Sequence, residues 1–283
     1  MFNIKNTRLA FELVTFSHTV FILPLIISGY LFISREVNYI DIFLICIATM
    51  GARNIGFIFN RIIDADIDRI NPRTSSRPVP SGLISKKFLM VFSIISFFLF
   101  LIPSVYLCID TLYYAPIPII LFYIYPFLKR FTILCHYFLG FILSLAPLAG
   151  FFVFNCSLNG MFDLIPLMVF TLFWVGGFDV LYALQDMNFD YKNKVFSIPG
   201  VLGKQKSIMI SFISFIICIF SISLFQTNIL DRSFFGQIII LIIFLNFILQ
   251  IFFSSNERYD FFKYNSYVGF LILLLTISDI FNI

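Results

Sequence analysis

Apolar and polar positions in this chain alternate on the scale of whole membrane spans, not of single helix turns. Long windows without a charged side chain recur at 88–109, 112–128, 131–162, 207–230 and 233–256. Less pure apolar runs cover 10–33, 39–63, 164–185 and 264–278. Each is long enough, as a helix, to cross a hydrocarbon core about 30 Å thick. The pattern therefore predicts an all-α fold, a polytopic membrane bundle of about nine transmembrane helices. It forms one integral domain over residues 1–283, with no linker or low-complexity tract. The first run is too long for a cleavable signal peptide and lacks a small-residue cleavage site.

Composition agrees, with 60% hydrophobic residues and a mean hydropathy of +0.99. Lysine and arginine set the orientation. With a cytoplasmic N-terminus, the inner segments carry Lys5, Arg8, Arg61, Arg69, Arg73, Arg77, Lys86, Lys87, Lys129, Arg130, Lys192, Lys194, Lys204, Lys206, Arg258 and Lys263. Only Arg35 and Arg232 fall outside, and Arg53 lies within the second span. The protein is expected in a bacterial inner membrane, with its polar loops cytoplasmic and its C-terminus outside. The net charge of +4 is this positive-inside bias summed over loops, and it implies no nucleic-acid partner. Cys46, Cys108, Cys135, Cys156 and Cys218 stand singly in or beside apolar runs without ligand spacing. They read as small buried hydrophobes, not as disulfides or a metal site.

Two acidic clusters break the apolar pattern: Asn60, Asp64 and Asp68, then Tyr182, Asp186 and Asp190. Each repeats at i, i+4, i+8, a step of about 6 Å along a helix and about 40° around it, so each forms one ridge. Acids this close to a bilayer are costly and mark function. Carboxylates at this spacing suit Mg²⁺, which takes one or two of them and fills its octahedron with phosphate oxygens and water. A basic loop follows each ridge, with Arg69, Arg73 and Arg77 after the first and Lys192 and Lys194 after the second. Arginine forks match phosphate oxygens, and lysine adds point charge. Together these describe a site for an amphiphile with a diphosphate head. Mg²⁺ would neutralise the leaving diphosphate so that an allylic carbon–oxygen bond ionises. Tyr125 and Tyr182, near helix ends, are candidate aromatic walls for the resulting cation.

At these motifs the chain resembles the UbiA superfamily of intramembrane prenyltransferases. The family's first acidic motif corresponds to Asn60–Asp68, its R-P-x-P-S-G to Arg77-Pro78-Val79-Pro80-Ser81-Gly82, its Y-x-x-x-K to Tyr125 and Lys129, and its second acidic motif to Tyr182–Asp190. One position departs: Arg61 stands where the family usually has Asp. The Asn-Arg version is similar to the branch of 4-hydroxybenzoate polyprenyltransferases and menaquinone-pathway enzymes. The resemblance implies nine spans around a central cavity, with Mg²⁺-bound polyprenyl diphosphate between the ridges. Asn60, Asp64, Asp68, Asp186 and Asp190 would hold the metal, and Arg69, Arg73, Arg77, Lys129, Lys192 and Lys194 the diphosphate. A hydroxylated aromatic acid of the 4-hydroxybenzoate type would be the acceptor, with dihydroxynaphthoate the alternative.

Blander readings stand beside these. Asp66 points about 100° or more from its neighbours and reads as a solvated or loop-pairing acid. Arg53 lies seven residues before Asn60, and Asp179 seven before Asp186. They read first as a mutual ion pair, with Arg53 as receptor of the acceptor's carboxylate the alternative. His18 reads as a packing residue, His136 has no evident partner, and Glu12 is open between a cavity and a surface place. A transporter would place its acids near mid-bilayer, whereas these sit at the cytoplasmic rim. A CDP-alcohol phosphotransferase would carry D-G-x-x-A-R, which is absent here.

Overall fold

The computed structural model describes residues 21–228, 233–254 and 261–281. Glu12, His18, Arg232, Arg258 and the first half of the first apolar run lie outside the described residues. All regular structure among those described is helical: α1 Leu23–Ser34, α2 Tyr39–Ile63, α3 Ala65–Ile70, α4 Lys86–Leu107, α5 Thr111–Tyr114, α6 Pro116–Leu128, α7 Cys135–Asn155, α8 Ile165–Ala183, α9 Met187–Asn193, α10 Ile198–Leu202, α11 Lys204–Asn228, α12 Phe234–Phe252 and α13 Phe261–Ile280. Short 3₁₀ turns cover Met161–Leu164 and Leu184–Asp186. Seven segments are long and apolar enough to cross a membrane, and the shorter apolar α1 stands with them. With the 20-residue α13, each of the nine apolar runs has a helix of its own.

Polar residues at the span boundaries start these helices. Asn38 Oδ1 accepts from the Ile40 and Asp41 amides before α2, and Ser85 Oγ accepts from the Phe88 amide before α4. Ser233 does the same for Gly236 before α12. Each satisfies amides that have no intrahelical partner, so helix starts coincide with the ends of the apolar runs.

Packing divides the bundle into a solid half and a hollow half. α8 is the central post, packed between α7 and α11, with α12, α13 and α1 completing a ring. Trp174, Phe170, Phe178, Phe215 and Phe247 fill that ring, with Phe215 and Phe247 stacked at 4.2 Å. Glycine allows the closest crossing. At the α1–α7 contact, a Cβ on Gly29 would strike the Pro147 backbone and one on Gly150 the Ile26 carbonyl. Dispersion at such backbone approaches is a main source of helix association in lipid. On the other side α2 packs against α4 and α6, leaving a cavity of about 830 Å³ whose walls come from α1, α2, α4, α6, α7 and α8.

The structure corrects one expectation about the cysteines. Cys108, at the end of α4, and Cys156, at the end of α7, form a disulfide with Cα atoms 5.4 Å apart. The two stand 48 residues apart in sequence, and nothing in that spacing shows that two parallel spans bring their far ends together. Cys46, Cys135 and Cys218 are free, the last two buried. Cross-linking a loop of this length constrains the unfolded chain, so Cys108→Ser is expected to cost about 4 kcal/mol. A lowered thermal midpoint in detergent without reductant, abolished as a difference once reductant is added, checks this.

Candidate active site

Both acidic ridges reach the same end of the same cavity. Its wall includes Asn60, Asp64 and Asp68 from the α2–α3 segment, and Tyr182, Asp186 and Asp190 from the α8–α9 segment. Neither ridge is one continuous helix. α2 stops at Ile63 and α3 restarts after Asp64, while a 3₁₀ turn at Leu184–Asp186 separates α8 from α9. Despite the breaks, the acids of both ridges line one wall.

Loop cations hold these acids. Lys129 Nζ lies 2.5 Å from Asp64 Oδ2, with Arg130 3.8 Å from Oδ1. Arg77 and Arg61 approach Asp68 at 3.2 and 3.4 Å. Arg73 crosses from the first ridge's loop to the second ridge. Its Nε donates to Asp186 Oδ1 at 2.8 Å, its Nη2 pairs with Oδ2, and its Nη1 donates to the Tyr182 hydroxyl at 2.9 Å. The guanidinium also lies over the Tyr182 ring, 5.2 Å from its centroid. Asn71 Nδ2 donates to Asp186 as well, at 3.0 Å. Asp190 accepts from Ser197 Oγ at 2.6 Å, and the same hydroxyl caps α10 through the Gly200 amide.

Burial makes this pairing necessary. The Asp64 side chain is only 2% exposed, and burial pushes its carboxyl above the usual carboxylate range against the opposing pull of Lys129. Burial alone would lower Arg73, yet its bonds to Asp186 and Tyr182 hold it above its ordinary value.

Not every expected diphosphate contact is on the wall. Arg73, Arg77 and Lys129 line the cavity. Arg69 is 62% exposed and faces Asp66 at 3.9 Å, and Lys192 and Lys194 are exposed around the end of α9. These three lie on the rim, because both short helices turn their last residues toward solvent. Asp66 is solvent-facing, as its angular offset predicts. Tyr125 and Arg53 line the cavity.

The Arg53–Asp179 ion pair does not form. Asp179 Oδ2 instead meets His136 Nδ1 at 2.7 Å, and His136 Nε2 accepts from the Ile198 amide at 3.3 Å. Among the described residues Arg53 Nη1 is buried without a hydrogen-bond partner, and its guanidinium lies 5.4 Å from the Phe57 ring centroid. Asn71, Ser197 and the His136–Asp179 pair are site residues that sequence reasoning missed. Asn71 directly precedes Pro72, a pairing that favours turns, whereas His136 carried no signal.

The donor set fits a hard divalent cation. It is all oxygen, and Asp64 Oδ1 is buried without a hydrogen-bond donor. Among the described residues no three acids, histidines or cysteines gather at one point. A cation here would draw one or two carboxylates and leave other positions to phosphate and water, as Mg²⁺ prefers.

Residues 22–275 match the family model described as the UbiA prenyltransferase family. The chain belongs to the UbiA prenyltransferase family. It is similar to the 4-hydroxybenzoate octaprenyltransferase of Vesicomyosocius okutanii, 29% identical over 259 residues that cover 86% of this chain and 90% of that one. The enzyme of the same name from Blochmanniella pennsylvanica is 29% identical, over 78% and 77% of the two chains. A UbiA homolog from Aeropyrum pernix K1 superposes with a TM-score of 0.83 at 26% identity, covering 93% of this chain and 98% of that one. A UbiA homolog from Archaeoglobus fulgidus, solved with GPP and Mg²⁺, shares the fold at a TM-score of 0.71 and 17% identity, covering 98% and 99% of the chains. This UbiA-family chain is thus a prenyltransferase built as a membrane bundle.

Lys129→Met leaves Asp64 buried beside only the more distant Arg130. The ligand-free protein is expected to lose about 3 kcal/mol, measured by thermal unfolding in detergent. An unchanged midpoint would show that Asp64 is satisfied without the lysine.

Proposed function

We propose that this enzyme transfers a polyprenyl group from polyprenyl diphosphate to the ring of a 4-hydroxybenzoate-type acid in quinone biosynthesis, with Mg²⁺ at the acidic mouth. The observation that carries the reading is the convergence of both ridges on one end of an otherwise apolar cavity, linked across the mouth by Arg73. Homologues named 4-hydroxybenzoate octaprenyltransferase support the acceptor, and the related structure bound to GPP and Mg²⁺ supports the donor and the metal.

Each group has a task in this scheme. Asn60, Asp64, Asp68, Asp186 and Asp190 are the oxygen donors toward the metal. Bound Mg²⁺ would supply charge neutralisation of the departing diphosphate. Arg73, Arg77 and Lys129, which line the same wall, would hold the phosphate oxygens. The exposed Arg69, Lys192 and Lys194 add attraction at the rim. Tyr125 and Tyr182 present ring faces to an allylic cation without a strong nucleophile. The apolar lining, including Phe122, Leu139, Leu143 and Phe178, excludes water that would quench it. Arg53, deeper in the cavity and without an acid on its buried Nη1, receives the acceptor's carboxylate.

The orientation follows the loop charges. The basic mouth faces the cytoplasm, the N-terminus lies on that side and the C-terminus opposite. The Cys108–Cys156 disulfide lies at the opposite ends of the spans, which accords with an oxidising exterior.

Incubation of membranes with radiolabelled polyprenyl diphosphate, Mg²⁺ and one acceptor at a time tests the reaction. Labelled prenyl-hydroxybenzoate is the expected product. Labelling of dihydroxynaphthoate alone would reassign the acceptor. Asp64→Ala and Asp186→Ala are expected to lose at least roughly 100-fold in turnover while inserting normally. Wild-type-like rates in either would sink the paired-ridge site. Arg53→Ala is expected to raise the Michaelis constant for the aromatic acid alone, leaving that for the diphosphate unchanged.

A further inference from the structure

The cavity wall carries five described carboxylates: Asp64, Asp68, Asp186 and Asp190 at the mouth, and Asp179 below them. The mouth acids are held by cations, by Asn71 or by the Ser197 hydroxyl. Asp179 is held differently. Its recorded partner is Nδ1 of His136, and Oδ1 makes no hydrogen bond among the described residues. The side chain is 19% exposed, on the cavity side of α8.

The histidine is itself held by its neighbours. Nε2 accepts a hydrogen bond from the Ile198 amide, which leaves Nδ1 as the ring nitrogen that donates to Asp179. That bond orients the carboxylate. Asp179 therefore faces the cavity with one oxygen free of hydrogen bonds, and among the described residues no guanidinium or ammonium is paired with it.

Its depth suits a proton acceptor for the ring. Asp179, on α8, lies about two turns before Asp186 in the following 3₁₀ turn, and Arg53 two turns before Asn60 on α2. Both therefore sit about 10 Å below the mouth. A ring whose carboxylate meets Arg53 lies at the level of Asp179, beneath the diphosphate.

We propose that Asp179, oriented by His136, is the base that removes the ring proton from the prenylated acceptor. This rests on the aromatic-acid reading above. The bond from prenyl carbon to diphosphate oxygen breaks with its electron pair leaving on oxygen. A ring carbon beside the hydroxyl then donates its π electrons to form the carbon–carbon bond, leaving a cationic ring whose attacked carbon still carries hydrogen. That carbon–hydrogen pair returns to the ring, and the proton passes to Asp179 Oδ1. In a water-poor cavity another acceptor at that depth is lacking among the described acids. Asp179 is thus a catalytic residue and His136 a positioning residue.

The test is the isotope effect on turnover with 4-hydroxybenzoate deuterated at both ring positions beside the hydroxyl. Asp179→Asn is expected to turn over about 100-fold more slowly and to show a larger primary isotope effect than wild type, because deprotonation has become limiting. Unchanged affinity for an unreactive prenyl thiodiphosphate confirms an intact mouth. His136→Leu is expected to raise the isotope effect too, and His136→Asn, which keeps an N–H toward Asp179, to restore the wild-type value. If Asp179→Asn fails to accumulate, Asp179→Glu, which shifts the oxygen by one methylene, is expected to raise the isotope effect in its place. A slow variant with an unchanged isotope effect, or one as fast as wild type, would overturn the proposal. Wild-type inactivity toward 4-hydroxybenzoate would instead sink the acceptor reading, so the two failures are distinguishable.

Discussion

Everything at the mouth of this enzyme depends on compensation of carboxylates in a place where water cannot solvate them. Asp64 and Asp68 are nearly inaccessible and Asp190 is buried. An uncompensated charge there would cost several kcal/mol. Lys129, Arg77 and Arg73 beyond the helix ends, with Arg61 in the last turn of α2, supply the compensation, and in doing so they tie α2, α6 and α8 together at one end of the bundle. The same charges are what a metal and a diphosphate would replace. The site is therefore a set of internal charge pairs.

That constraint explains why the bundle is asymmetric. The half built around Trp174 is filled by interlocking aromatic rings and pinned by a bond from Trp174 Nε1 to Asn265 at 2.6 Å. α8 belongs to that rigid half, so Tyr182 and Asp179 are mounted on a fixed post. α2 and α6 belong to the hollow half and supply Arg53, Asn60, Tyr125 and Lys129. A wall packed on the aromatic core thus faces a wall joined to it through cations at the mouth.

Arg61 shows how a departure from the family pattern is absorbed. Where the family usually has an acid, the arginine pairs with Asp68 and lies 4.5 Å over the Phe57 ring. The cavity wall thus carries one carboxylate fewer and one guanidinium more than that pattern would give it.

The nine spans, the two acidic ridges, the basic loops behind them and the exposed place of Asp66 could all be read from order and spacing along the chain. Hydrophobic length and helical periodicity are local properties, and a bilayer leaves a span little alternative to a helix. Which residues meet across the cavity is a matter of helix crossing, and periodicity holds no record of it. Arg53 and Asp179 had matching offsets, yet α7 places His136 against Asp179 first. Cys108 and Cys156 lie in different runs, and only the parallel course of α4 and α7 brings them together. Arg69, Lys192 and Lys194 shared the charge of Arg73 and Arg77, but the breaks after Asp64 and Asp186 aim them outward. Sequence alone determined the spans and the chemistry available at their ends; the tertiary packing decided which charges face each other, because pairing depends on the angle and depth at which separate helices cross.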